Sequence, residues 1–217
     1  MNAIPDCAPD RNCPKCPRLV AFREEMRGRF PAWHNAPVPS FGPIDASLLI
    51  VGLGPGLRGA NATGRPFTGD WAGDLLYDTL LAQGLAHGHY GERRDDGLTL
   101  SDCRVTNAVR CVPPGNRPTT AEAKACRPFL EKEIAAMPRL SVILAIGGFA
   151  HDSALAALGA RKSAHPFAHG AEHALKPGLV MVDSYHCSRL NTNTGRLTAE
   201  MFAAVVTRCR ELLARNS

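Results

Sequence analysis

Four apolar runs interrupt an otherwise polar chain, and each is followed by a stretch with helical spacing. Residues 46–53 (ASLLIVGL) form a continuous apolar, β-branched run, the pattern of a strand buried on both faces. Residues 98–109 give a second strand ending at Asn107, residues 141–148 (SVILAIGG) a third and residues 179–186 (LVMVDSYH) a fourth. Trp71, Leu75, Leu76, Thr79 and Leu80 repeat at helical intervals, which predicts a helix over 71–86. Thr119 with Glu122 reads as a capping box for a helix reaching about Met137. A helix from Phe149 closes at Gly159, and Thr198 caps a last one. Before the first strand, a short helix is predicted over 20–29, then a proline-rich connection, PAWHNAPVPSFGP. Residues 160–177 read as a loop or small hairpin. Alternation of strand and helix predicts an α/β fold: one domain over 1–217, three layers α/β/α around a central, mostly parallel four-stranded sheet, with an N-terminal arm over about 1–45.

The length of 217 residues suits one such domain, and a net charge of +5 permits a polyanionic partner without demanding one. The N-terminus lacks the apolar core of a signal peptide, and no apolar run is long enough to span a membrane. The expected setting is therefore cytoplasmic, with no membrane partner. In a reducing compartment, eight cysteines are not a disulfide framework. Cys13 and Cys16 form CPKCP, Cys111 sits in RCVPP and Cys126 in ACRP. Four thiolates suit tetrahedral zinc or an iron–sulfur cluster. Only one pair has knuckle spacing and proline lies near every ligand, which favours a [4Fe–4S] cluster acting as a staple between the arm and the second strand's loop. Cys7, Cys103 and Cys209 fall outside this pattern of spacing and read as ordinary core or surface thiols.

The loop after the first strand, GPGLRGANATGRPFTGD, contains a literal G-x-G-x-x-G at Gly54, Gly56 and Gly59. A dinucleotide site also needs a helix opening at that loop, and ANATGRPFTGD is not a helix start. What remains is a backbone cradle with positive charge at Arg58 and Arg65, one ring at Phe67 and one carboxylate at Asp70. Phe67 reads either as a stacking surface or as core, and Asp70 as a reacting group or the cap of the helix at Trp71. After the fourth strand, His186 faces the same sheet edge, followed by Ser188, Arg189, Asn191 and Asn193, all able to donate to phosphate, around an isolated Leu190. That edge is where open α/β sheets bind ligands.

GLGPG with TGRPFTGD, TNAVRC and SYHCSRLNTNTGRLT, together with the four-cysteine spacing, resemble the motifs of the uracil-DNA glycosylase superfamily, most closely its family 5, the UDGb type with an iron–sulfur cluster. The resemblance runs from Cys13 to the last helix. It implies a monofunctional glycosylase that flips and excises uracil, and other deaminated bases such as hypoxanthine or xanthine, in base-excision repair. It implies a pocket of Gly52, Leu53, Gly54, Pro55, Gly56 and Phe67, with Asn107 reading the base edge. His186 would stabilise the leaving base, and Asp70 is the nearest acidic candidate to orient water. Arg58, Ser188, Arg189 and Asn191 would hold DNA, with Leu190 filling the gap left by the base. It also implies Cys13, Cys16, Cys111 and Cys126 as cluster ligands, a monomer, and a nucleoid location through DNA. Gly54 stands where other families place a water-orienting side chain, and Cys187 where many relatives have proline. Alternatives are a non-catalytic binder of damaged or single-stranded DNA and an iron–sulfur electron-transfer protein.

Overall fold

The apolar runs become the parallel strands of one sheet, because continuous apolar strands need cover on both faces. The computed structural model describes residues 7–215. Its elements are α1 (Pro17–Arg29), β1 (Leu48–Gly52), α2 (Ala60–Thr63), α3 (Trp71–Ala82), β2 (Ala86–His87), β3 (Thr99–Leu100), β4 (Cys103–Asn107), α4 (Thr120–Ala136), β5 (Val142–Ile146), α5 (Gly148–Ala157), β6 (Glu172–Lys176), β7 (Leu179–Ser184), α6 (Arg189–Asn193) and α7 (Ala199–Arg215). The sheet order is β4-β1-β5-β7-β6. Alternate residues divide the cover. Leu48 and Ile50 pack with Leu76 and Leu80 of α3 and Phe202 and Val206 of α7, while Leu49 and Val51 pack with Leu130 and Ile134 of α4 and Ala150 and Ala154 of α5. The expected three layers follow.

Five details correct the reading from sequence. The sheet has five strands, not four: β6, within the expected loop or hairpin, adds an antiparallel edge to β7. The run 98–109 splits at Asp102, whose φ of +52° separates the short β2–β3 hairpin from β4. The first helix starts three residues early, with Pro17 in its first turn, where a missing N–H costs nothing. The helix from Trp71 stops at Ala82, because Gly84 takes a φ of +70° and Leu85 N–H turns back to Leu80 O. One helical turn does follow Gly59, but Gly64 at φ +78° ends it after Thr63.

Glu133 of α4 is completely buried and ties the site side of the sheet together. Arg104 Nε donates to its Oε1 at 2.6 Å, and Arg110 and the Thr106 hydroxyl donate to Oε2. Arg110 also donates to Ser40 Oγ, and its backbone O accepts from Val38 N–H. Burial alone would raise the Glu133 pKa, but Arg110 and then Arg104 hold it below the usual glutamate value. At Asp183 of β7, a second buried carboxylate accepts from His151 Nδ1 at 2.8 Å and His173 Nε2 at 2.9 Å. His151 Nε2 lies 2.9 Å from His165 O, so both ring nitrogens of His151 face oxygen atoms.

Breaking a buried ion pair from one side leaves an uncompensated charge, at a cost of about 3–5 kcal/mol. Glu133→Ala is expected to lose that much in urea unfolding. A loss below about 1 kcal/mol would show that the network does not brace β4 against α4.

Candidate active site at the carboxyl ends of the strands

β1, β4 and β7 all end at one edge, and the loops that leave them carry the predicted chemistry. Chain connections reverse direction there, from β1 outward to β4 and back across to β5, the switch point at which open sheets form a crevice. A cavity of about 410 Å³ opens at this edge, lined by Leu53, Gly54, Gly56, Asp70, Trp71, Ala72, Asn116, His186, Ser188 and Arg189.

Asp70 has both roles that its sequence left open. As N-cap of α3, its Oδ1 accepts from Gly73 N–H at 3.3 Å. Its Oδ2 lies against the glycine loop: a Cβ on Gly56 would stand 2.7 Å from it, and one on Gly59 2.5 Å. Two of the three glycines in the G-x-G-x-x-G therefore exist to admit a carboxylate of this same chain. Gly54 is different, since a Cβ there would meet nothing closer than Val109 O at 3.4 Å. Burial raises the Asp70 pKa above the ordinary aspartate value, against the lowering effect of Gly73 N–H.

Behind the cavity, Gly52, Phe67 and Asn107 form a buried group and are not part of its open lining. Gly52 pairs with Asn107 across the sheet, and a Cβ on it would lie 2.5 Å from both Asn107 Oδ1 and the Phe67 ring. Phe67 belongs to the core, 6% exposed, yet holds a φ of +52° that non-glycine residues avoid. Its neighbours impose this conformation. Tyr77 OH donates to Pro66 O at 2.6 Å, Tyr90 OH to Phe67 O at 3.2 Å, and Gly73 lacks the Cβ that would strike the Phe67 carbonyl. Strain held this way is characteristic of functional positions.

His186 lies two residues beyond β7 and lines the cavity. Its Nδ1 is enclosed without a hydrogen-bond partner, and burial lowers its pKa below the ordinary imidazole value. The ring is thus neutral at neutral pH, with one N–H to give. Gly147, at φ +94°, leaves room for it: a Cβ there would be 3.2 Å from His186 Cβ. The loop beyond, expected to be irregular, contains α6. Ser188 caps it, accepting from Asn191 N–H, and Asn191 Nδ2 donates to His186 O at 2.8 Å. Leu190 is 73% exposed at its tip.

Other predicted residues fall elsewhere. Arg65 is no free charge: it is buried and paired in bidentate fashion with Asp96 at 2.6 and 2.8 Å. Arg58 is exposed but does not line the cavity, and Pro55 is buried beneath it. Cys187 is buried. Trp71 and Asn116 line the cavity and were missed. Trp71 lay in a helical repeat that marks core, and Asn116 in a turn cluster whose side chain reaches back, its Oδ1 accepting from Leu57 N–H.

Cys13, Cys16, Cys111 and Cys126 all border one small apolar hollow with Leu19, Val20, Val109 and Phe129. Burial first, and then neighbouring Cys126, push the Cys16 thiol up to about 11 and Cys111 to about 12. Among the described residues, the one group of three or more histidine, cysteine or acidic ligand atoms within 4.8 Å of one another is His151, His173 and Asp183, already bonded among themselves. No three of the four sulfurs therefore lie within 4.8 Å of one another, whereas bonds of about 2.3 Å to one tetrahedral zinc would hold all four about 3.8 Å apart. Arg23 also lines the hollow: its Nη1 donates to Cys13 O at 3.2 Å, and its buried Nε makes no hydrogen bond but lies 3.7 Å from Glu24 Oε1.

A model of the Uracil DNA glycosylase superfamily matches residues 39–210. The chain is 47% identical over 205 residues to a Type-5 uracil-DNA glycosylase of Thermus thermophilus, covering 92% of this chain and 93% of the relative. It is 41% identical to a Type-5 uracil-DNA glycosylase of Pyrobaculum aerophilum, covering 91% and 87%, and 36% identical to a Type-4 uracil-DNA glycosylase of the same organism, covering 63% and 57%.

The glycine geometry makes a paired prediction. Gly52→Ala is expected to displace Phe67 and Asn107 and to destabilise the fold by about 1–3 kcal/mol, the usual cost of overpacking. Gly54→Ala is expected to change stability by less than about 0.5 kcal/mol, as a surface substitution free of clash does. Equal effects in thermal unfolding would contradict the assignment of space around the two glycines.

Proposed function

The chain belongs to the uracil DNA glycosylase superfamily, and from that premise we propose that it excises uracil from DNA as a monofunctional glycosylase in base-excision repair. The observation that carries this reading is the meeting of a buried carboxylate, Asp70, and a neutral imidazole, His186, on one cavity at the switch point. The extruded base enters the cavity, and the buried Phe67 and Asn107 behind it must open to take the ring and its polar edge. Breaking the N-glycosidic bond leaves its electron pair on the base and positive charge on the sugar. His186 donates its N–H to the base oxygen on which negative charge develops, and Asp70 orients the water that attacks the sugar and takes its proton. The products are the free base and an abasic site. No lysine lines the cavity, so water rather than an amine is the nucleophile and strand cleavage is not expected.

The space beside Gly54 supports a pocket that also takes hypoxanthine or xanthine after uracil. Ser188, Arg189 and Asn191 contact the DNA backbone and Leu190 enters the gap. Cys13, Cys16, Cys111 and Cys126 would hold a [4Fe–4S] cluster. Support comes from the shared hollow, the spread of the sulfurs and the buried cation of Arg23 in the same lining. When bound, the cluster supplies a cross-link between α1, the loop after β4 and α4, and no redox chemistry.

Purified protein is expected to leave alkali-labile sites in uracil-containing duplexes, and His186→Ala to lower the rate by about 10²–10⁴-fold with unchanged folding. Tight binding without any turnover would instead select the non-catalytic DNA-binding reading. Iron analysis is expected to give about four irons per chain and a brown protein absorbing near about 400 nm. Stoichiometric zinc would overturn the cluster.

Asp70→Asn separates cap from chemistry. Asparagine caps as well as aspartate. The folded-state pKa of Asp70 is raised, so above it the ionised carboxylate lowers stability, and that penalty disappears as pH falls through it. The variant is therefore expected to be at least as stable as wild type at pH 7 while losing excision rate and its acidic pH limb. Undiminished rates would reduce Asp70 to a cap.

A further inference from the structure

Trp71 and Leu190 are the two large apolar side chains left exposed among the described residues, at 45% and 73%. Trp71 lines the cavity, Leu190 follows the lining residues Ser188 and Arg189, and the two segments are joined. Trp71 is the first residue of α3, directly after Asp70. Its indole Nε1–H donates to Thr192 Oγ1 at 2.8 Å, and the Arg189 guanidinium lies 5.1 Å from the ring centroid. Thr192 and Arg189 flank Leu190 within α6.

A five-residue helix has no stability of its own. The remaining bonds of α6 are local: Ser188 caps it, and Asn191 reaches His186 O and accepts from Leu197 N–H. Among the described residues, the Trp71–Thr192 bond is the one hydrogen bond that ties 189–193 to chain outside 186–197. An apolar side chain that replaces a base in a stack must bear the cost of unstacking, a few kcal/mol. A wedge on a loose loop spends that energy on its own ordering, so it needs a stiff mount.

We propose that Trp71 is a positioning residue for the Leu190 wedge, and that it sets how strongly the enzyme prefers duplex over single-stranded DNA. The inference rests on the glycosylase reading. A single strand has no partner base and leaves no gap to fill, so mounting the wedge matters less there. The Trp71 bracket also couples the wedge to the Asp70 cap through adjacent residues, so the wedge and the Asp70 carboxylate share one mount.

The test compares wild type with Trp71→Ala, Trp71→Phe and Thr192→Val on uracil in duplex and in single strand. One hydrogen bond of net strength about 0.5–1.5 kcal/mol corresponds to about 2–12-fold. Trp71→Phe and Thr192→Val are each expected to lower the duplex-to-single-strand ratio of kcat/KM by that factor. Trp71→Ala, which also removes the ring under Arg189, is expected to lower it further. The Trp71→Phe/Thr192→Val double variant is expected to be no worse than Thr192→Val alone, which loses the same bond together with the Thr192 hydroxyl's own contacts to Ser188 O and Arg189 O. Ratios unchanged from wild type, or additive losses in the double variant, would overturn the proposal. A second readout needs no turnover: anisotropy binding to a duplex with an abasic-site analogue, against the same strand unpaired. The variants are expected to weaken on the duplex several-fold more than on the strand; equal weakening would overturn the proposal. Wild type that binds the abasic duplex selectively but excises nothing would overturn the glycosylase reading alone.

Discussion

The carboxylate of Glu133 is the interaction on which the site side of this protein depends. It is fully buried on α4, yet it gathers Arg104 and Thr106 from β4, Arg110 from the loop beyond and, through Arg110, Ser40 from the segment before β1. Remaining charged inside a protein is possible only because two guanidiniums outweigh its desolvation. The result is a fixed frame around the end of β4. Asn107 lies between Thr106 and Arg110 in sequence, and Cys111 follows directly, so the same network holds the residue proposed to read the base and one of the cysteines.

On that frame the site is assembled by subtraction of side chains. Gly52 admits Phe67 and Asn107, Gly56 and Gly59 admit the Asp70 carboxylate, Gly73 admits the Phe67 carbonyl and Gly147 admits His186. Each absence of a Cβ lets a reactive or binding group sit closer to the backbone than any other residue would permit. Phe67 shows the energetic consequence. Its positive φ is unfavourable in itself and is maintained by two tyrosine hydroxyls and a neighbouring glycine. Asp70 is similarly held in a state that burial disfavours, because a helix N-terminus gives it an amide to accept from.

The two groups with perturbed protonation are shifted in opposite directions by the same cause. Burial disfavours charge, so it raises Asp70 and lowers His186. A neutral imidazole is the right electrophile for a base that leaves as an anion, since it gives a hydrogen bond without binding the ground state as a counter-ion. The neighbouring α6, which carries Leu190, is held differently, by its cap, by Asn191 and by Trp71.

By itself the sequence determined the layers, the four parallel strands, the capping box at Thr119 and the sheet edge where Gly52, Asn107 and His186 lie. These follow from hydrophobic period and local backbone chemistry, which need no distant partner. It also placed the four cysteines together by their spacing. The tertiary structure decided the rest. Arg65 looked like a free charge because Asp96, thirty-one residues away, is invisible to local pattern. β6 was unreadable as a strand because an edge strand with exposed alternate residues carries little apolar signal. The G-x-G-x-x-G looked like a backbone cradle for a ligand until Asp70 was seen to occupy it, and Trp71 was only the start of a helical repeat until its indole was seen to reach Thr192. In each case the meaning of a residue lay in a contact made across the fold, and only the folded chain brings those atoms together.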